Sequence, residues 1–150
     1  MQLNHYLNFK GNTETAFNFY KSVFGGEFLF VMRYSDAPTQ EGQSPLSEAD
    51  RQKIMHISLP INEYTVLMAS DISEQFCAQT NKAFTIGTNH YISINLDASE
   101  HDEAKRLFDA LAVNGTVEMA LSPTFWGALY GALTDQFGIQ WMINCQLETA

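Results

Sequence analysis

The chain has little of what marks a special compartment or a polymeric partner. No apolar run approaches the roughly 20 residues that cross a bilayer. The start, Met1-Gln2-Leu3-Asn4-His5, has neither the basic residues nor the apolar stretch of a signal peptide. The expectation is therefore a cytoplasmic chain with no membrane partner. There are only two cysteines, Cys77 and Cys145, with no C-x-x-C spacing, which excludes a disulfide framework; both are read as free thiols. Lys and Arg number 8 against 17 Asp and Glu, a net charge of −9 that repels phosphate backbones, so nucleic acid is not an expected partner. No G-x-S-x-G elbow and no glycine-rich loop following a strand occur, which argues against a nucleophile elbow, a phosphate cradle and a methyl-donor site.

What the chain does have is apolar content and rings. Its 150 residues, 45% of them hydrophobic, are enough for one domain with its own core. Eleven Phe, six Tyr and two Trp suit an aromatic-lined cavity or a subunit interface, and equally a Phe-rich core.

The pattern occurs twice. Asn4-His5-Tyr6 recurs as Asn89-His90-Tyr91, each time opening a short run with strand character. A helix follows in each copy. The first is signalled by Asn12 as N-cap, Glu14 in the first turn, an apolar face of Ala16, Phe17, Tyr20, Val23 and Phe24, and Gly25-Gly26 as the stop. The second opens on Ser99-x-x-Asp102, carries Ala104, Leu107, Phe108 and Leu111 on one face, and stops at Asn114-Gly115.

Period-two alternation then takes over. It predicts strands over 28–32, 54–59 and 64–69 in the first half, the last two joined by Pro60-Ile61-Asn62-Glu63. In the second half it predicts strands over 117–121, 129–134 and 139–144, the last two joined by Asp135-Gln136-Phe137-Gly138. Each half is β-α-β-β-β: module 1 over about 1–71, a polar connector over 72–89, and module 2 over about 90–146. Residues 35–50, with Pro38, Gly42 and Pro45, form a long loop holding a short helical turn from Ser47.

The fold class is therefore α+β. A four-stranded module with one helix leaves one sheet face bare, so two modules are expected to form a cup-shaped mixed sheet. Leu7 and Phe9, and Ile92, Ile94 and Leu96, alternate toward the helices, which turns Tyr6, Asn8, Tyr91, Ser93 and Asn95 to the bare side. Bare faces need cover, so a homodimer is also expected.

The duplicated modules, together with the stretches 6–12, Ala16-Phe17-Asn18-Phe19-Tyr20, Phe24-Gly25-Gly26-Glu27, Val66-Leu67-Met68-Ala69-Ser70-Asp71, Thr124-Phe125-Trp126 and 135–144, resemble the PhnB-like branch of the vicinal oxygen chelate superfamily, relatives of glyoxalase and bleomycin-resistance proteins. The resemblance covers nearly the whole chain. It implies a His or Glu on each of four cup-facing strand positions, holding a divalent cation that polarises vicinal oxygens of a substrate. Those positions fall on His5, counted without a gap, and on Met68, Tyr91 and Met142. Thioethers and a phenol with an ordinary pKa of about 10 are poor ligands for such a cation. The alternation of Leu7 and Phe9 moreover turns Tyr6, rather than His5, into the cup. No metal and no other cofactor is expected.

His5, His56 and His90 form a further potential ligand set, with nothing in the sequence to bring them to one face. Asp71, Asp97 and Asp135 stand at strand ends, where turn capping accounts for them. Cys145 reads as a small buried hydrophobe.

The expected site is a pocket lined by Tyr6, Asn8, Met68, Tyr91, Ser93, Trp126, Trp141 and Met142. Either a small, flat organic molecule fills it, as in bleomycin-resistance proteins of this superfamily, or the side chains themselves do. The competing expectation is a metal-dependent lyase, isomerase or dioxygenase of the same superfamily.

Overall fold

The computed structural model describes residues 1–39, 41–74 and 82–147 and forms two compact units, 1–85 and 86–150. Cys77 and much of the expected connector lie outside the described residues. Each unit is a four-stranded sheet with one long helix against it, so the α+β assignment and the β-α-β-β-β order are as expected.

In the first unit the strands are β1 (His5–Phe9), β2 (Phe30–Arg33), β3 (Ile54–Pro60) and β4 (Val66–Asp71), in the order β1-β4-β3-β2. β1 runs parallel to β4 and the other pairs are antiparallel. Helix α1 (Thr13–Phe24) buries Ala16, Phe17, Tyr20 and Val23 on the side where Leu7, Phe9, Ile57, Leu59, Leu67 and Ala69 are buried. Each of the larger of these side chains contributes roughly 1.5–3 kcal/mol by leaving water. Asn12 stands at the N-cap as predicted, but its side chain makes no capping bond. Asp71, at the end of β4, performs that task instead, accepting from Gly11 N and Thr13 N at 2.9 and 3.0 Å.

The strand limits differ from expectation where local chemistry overrides alternation. β3 runs through Pro60 and β4 starts only at Val66, because Asn62 Oδ1 accepts from both Tyr64 N and Thr65 N at 2.9 Å and holds residues 61–65 in a turn. The turn expected after Ser47 is α2 (Glu48–Gln52), with Ser47 Oγ accepting from Asp50 N. Between β2 and β3 the register skips Met55: Met32 lies opposite His56 and Arg33 opposite Ile54. Such a bulge re-aims the extra side chain.

In the second unit β5 (Ile92–Leu96), β6 (Thr116–Pro123), β7 (Ala128–Thr134) and β8 (Gln140–Gln146) lie in the order β5-β8-β7-β6. Helix α3 (His101–Ala112) buries the predicted face of Ala104, Leu107, Phe108 and Leu111. Its start differs from expectation. A single 3-10 turn over Ala98–Glu100 leads in, and the reciprocal cap joins Asp97 to Glu100 rather than Ser99 to Asp102. Gly131 on β7 lets α3 lie close, since a Cβ there would sit 2.6 Å from the Phe108 ring and 3.0 Å from Leu121 Cα.

The tripeptide repeat is out of structural phase. Tyr6 lies opposite Met68 in β4, whereas the residue opposite Met142 in β8 is Ser93, two positions beyond Tyr91. A shift of two keeps the side-chain parity, which is why the alternation predicts both faces correctly.

Candidate functional site

On the helix-free face of the first sheet, Tyr6 and Asn8 of β1 lie opposite Met68 and Ser70 of β4, with Ser58 and His56 beyond them on β3. The Tyr6 hydroxyl is 3.2 Å from His56 Nδ1, and the Ser70 hydroxyl donates to Asn8 Oδ1 at 3.2 Å. Phe30 of β2 places its ring 5.9 Å from that of His56.

Beside this face lie residues 34–39 and 41–47, between β2 and α2. Arg33 Nη2 donates to both Glu14 carboxylate oxygens at 2.8 and 2.9 Å while Nη1 donates to Gln52 O, which ties the root of the loop to α1 and to the end of α2. The Tyr34 hydroxyl donates to Asp71 O at 2.9 Å, and burial pushes its phenol above the ordinary range. The space between loop and sheet is a cleft of about 790 Å³. Its floor is Tyr6, Asn8, Ser70 and the chain leaving β4 through Ser73. Its wall is Tyr34, Pro38, Ser44, Pro45 and Leu46, and Arg51 and the bulged Met55 also line it.

Asp71 borders this cleft but does not serve it. Its carboxylate is 2% exposed and accepts from Gly11 N, Thr13 N, Thr13 Oγ1 and Ile54 N. Turn capping accounts for it, as it does for Asp135, which accepts from Phe137 N and Ile139 N.

On the second unit the helix-free face carries Ser93 opposite Met142 and Asn95 opposite Asn144. The Tyr91 phenol donates to Glu118, and Thr134 Oγ1 donates to the other Glu118 oxygen at 2.5 Å. These two bonds, that of Thr134 first, hold the Glu118 carboxyl below its ordinary range, while the Glu118 contact holds the Tyr91 phenol above its own. Tyr130 points its hydroxyl at Met142 Sδ, 4.0 Å away, and stacks edge-on with Trp126 at 5.7 Å.

Of the expected lining residues, Tyr6 and Asn8 line the cleft. Met68 lies on the same face without bordering it among the described residues. Tyr91, Ser93, Trp126 and Met142 belong to the face of the second unit. Trp141 corrects the expectation: it alternates with Met142, is 2% exposed among the core residues, and donates its indole N–H to Asp135 Oδ2 at 2.8 Å. Three contributions escaped the sequence. Glu118 lies in a strand exposed on both sides with two register shifts, so parity does not reveal its face. The loop wall has no periodicity. Met55 is turned by a bulge.

Comparison with known proteins places this architecture. The model of the glyoxalase/bleomycin resistance protein/dioxygenase superfamily matches residues 2–143. The chain belongs to this superfamily. Protein YjdN of Escherichia coli K12 is 34% identical over 145 residues, covering 96% of this chain and 95% of that one. The crystal structure of protein PA1353 from Pseudomonas aeruginosa is 36% identical, with a TM-score of 0.78 and 99% of each chain covered. The PhnB protein from Bacillus cereus, described as a putative 3-demethylubiquinone-9 3-methyltransferase, shares the fold at 22% identity and a TM-score of 0.65, covering 97% and 99%.

The residues at the superfamily ligand positions do not fit a divalent metal. His5 shares its side of β1 with the buried Leu7 and Phe9, opposite to Tyr6 and His56. Met68 and Met142 offer thioethers, and the Tyr91 phenol donates to Glu118. Among the described residues no group of three His, Cys, Asp or Glu side chains is placed to hold an ion.

Proposed function

We propose that this superfamily member binds a small organic molecule in the cleft between the sheet of the first unit and residues 34–39 and 43–46, with no metal at the superfamily ligand positions taking part. One observation carries the reading: about 790 Å³ of space is left between side chains whose backbones are held on both sides. That volume lies within the roughly 300–1,000 Å³ of ordinary ligand sites. Arg33 fixes the root of the wall and Asp71 fixes the floor, so the space does not depend on one flexible side chain. The mixture is that of a ligand site rather than a core, with Met55, Leu46 and two prolines beside serine hydroxyls, Asn8 and two phenols.

The test is fluorescence titration with 1-N-phenylnaphthylamine, a neutral flat probe, with and without added zinc, manganese or chelator. One saturable site per chain, indifferent to metal and lost in Ser70→Trp, is the expected result. Binding that needs a divalent ion, or that survives Ser70→Trp unchanged, sinks the reading.

A further inference from the structure

The ionisable side chains at the cleft decide what charge a ligand meets there. Among the described residues, two that carry a charge at neutral pH border it, Arg51 and Asp71, beside the neutral phenols of Tyr6 and Tyr34. The Asp71 carboxylate is buried, and both its oxygens are taken by donors of the scaffold, three on Oδ1 and Ile54 N on Oδ2. Its charge is thereby balanced locally by oriented N–H and O–H dipoles. Arg51 is different. It belongs to α2, and its nearest approach to Glu48 is from Nε at 3.8 Å, with both side chains at least half exposed. An exposed pair of that length holds the side chain only weakly. The terminal guanidinium nitrogens, which form the planar fork suited to an oxyanion, come no nearer to Glu48 than that. Lys53, the next cation along the chain, is instead held by Asp50 at 2.6 Å.

We propose that Arg51 makes this cleft selective for organic anions: an apolar body seated on Met55, Leu46 and Pro45, with a single oxyanion group received by the Arg51 fork. In a chain of net charge −9, an anion is otherwise repelled, so a local cation lining the cleft is what such a ligand needs. The inference rests on the cleft being the binding site and adds the charge of the ligand.

The experiment compares two probes that share a ring system. 1-Anilinonaphthalene-8-sulfonate is 1-N-phenylnaphthylamine carrying one sulfonate. Both are titrated by fluorescence into the full chain and into Arg51→Gln, Arg51→Lys and Arg106→Gln. The last removes the same charge from α3, where Arg106 is paired with Glu103.

Expected is a loss of about tenfold in sulfonate-probe affinity in Arg51→Gln, the size of one charge-assisted hydrogen bond. Arg51→Lys should lose less, Arg106→Gln should match the parent chain, and the neutral probe should bind Arg51→Gln as it binds the parent. If both probes bind and Arg51→Gln leaves the sulfonate probe within twofold, or if Arg106→Gln weakens it equally, the anion selectivity is overturned while the cleft stands. If neither probe binds at one site per chain, the cleft itself fails.

Discussion

Thr13 and Asp71, 58 positions apart, are joined twice: the Thr13 amide and its hydroxyl both donate to Asp71 Oδ1, at 3.0 and 2.7 Å. With Gly11 N on the same oxygen and Ile54 N on the other, one carboxylate closes the β1–α1 turn, the start of β3 and the end of β4 into a single knot.

Removing the carboxylate should be expensive. Asp71→Ala leaves buried amide donors without acceptors, and a loss of about 3 kcal/mol is expected, each orphaned donor accounting for roughly 1–3. Urea unfolding of the variant checks this. A loss below about 1 kcal/mol, the worth of one ordinary hydrogen bond, would mean that water or a neighbouring carbonyl replaces the knot.

Tyr91 and Glu118 predict two pH responses of opposite sign. The Tyr91 phenol is held above its ordinary value, chiefly by its bond to Glu118, so its contribution to stability is present below the unfolded pKa of about 10 and is lost as pH rises through the raised folded value. Glu118 is held low by Thr134 and Tyr91, so its contribution is present above about 4.3 and is lost as pH falls through the depressed value. In Glu118→Gln, Tyr91 should titrate closer to 10, read as the 295 nm difference between the variant with and without Tyr91→Phe. An unchanged titration would show that the phenol is not donating to Glu118 in solution.

Cys145 should be inert in the folded chain. It is fully buried, its thiol lies 3.2 Å from Asp97 O, and burial, reinforced by the Glu100 and Asp97 charges, raises its pKa. Iodoacetamide at pH 8 with peptide mapping should therefore modify Cys145 about a hundredfold more slowly in buffer than in urea. Comparable rates would place the thiol at the surface.

Most of the fold was readable because period two and period 3.6 are carried by large side chains. Leu7 and Phe9, Phe17 and Tyr20, and Leu107 and Phe108 each have an unambiguous inner side. Errors arise where one polar side chain decides a local structure. Asn62 moves the start of β4, and Asp97 with Glu100 takes the cap from Ser99. The site was legible only in part. Tyr6 and Asn8 follow from parity, and so does the miss at Trp141: as the neighbour of Met142 on β8 it takes the opposite, core side, where its indole N–H donates to Asp135. The cleft wall belongs to a segment whose shape comes from Arg33 and Tyr34 reaching distant partners, which no local pattern reports.

The alternation along β1 has a consequence for how such a chain changes over time. Neighbouring residues answer to different pressures: Leu7 and Phe9 to the core, Tyr6 and Asn8 to whatever occupies the cleft. The knot at Asp71 keeps the floor in place with both carboxylate oxygens already taken by the scaffold. The lining of the cleft can therefore drift one even-numbered position at a time while the means by which the chain folds is kept.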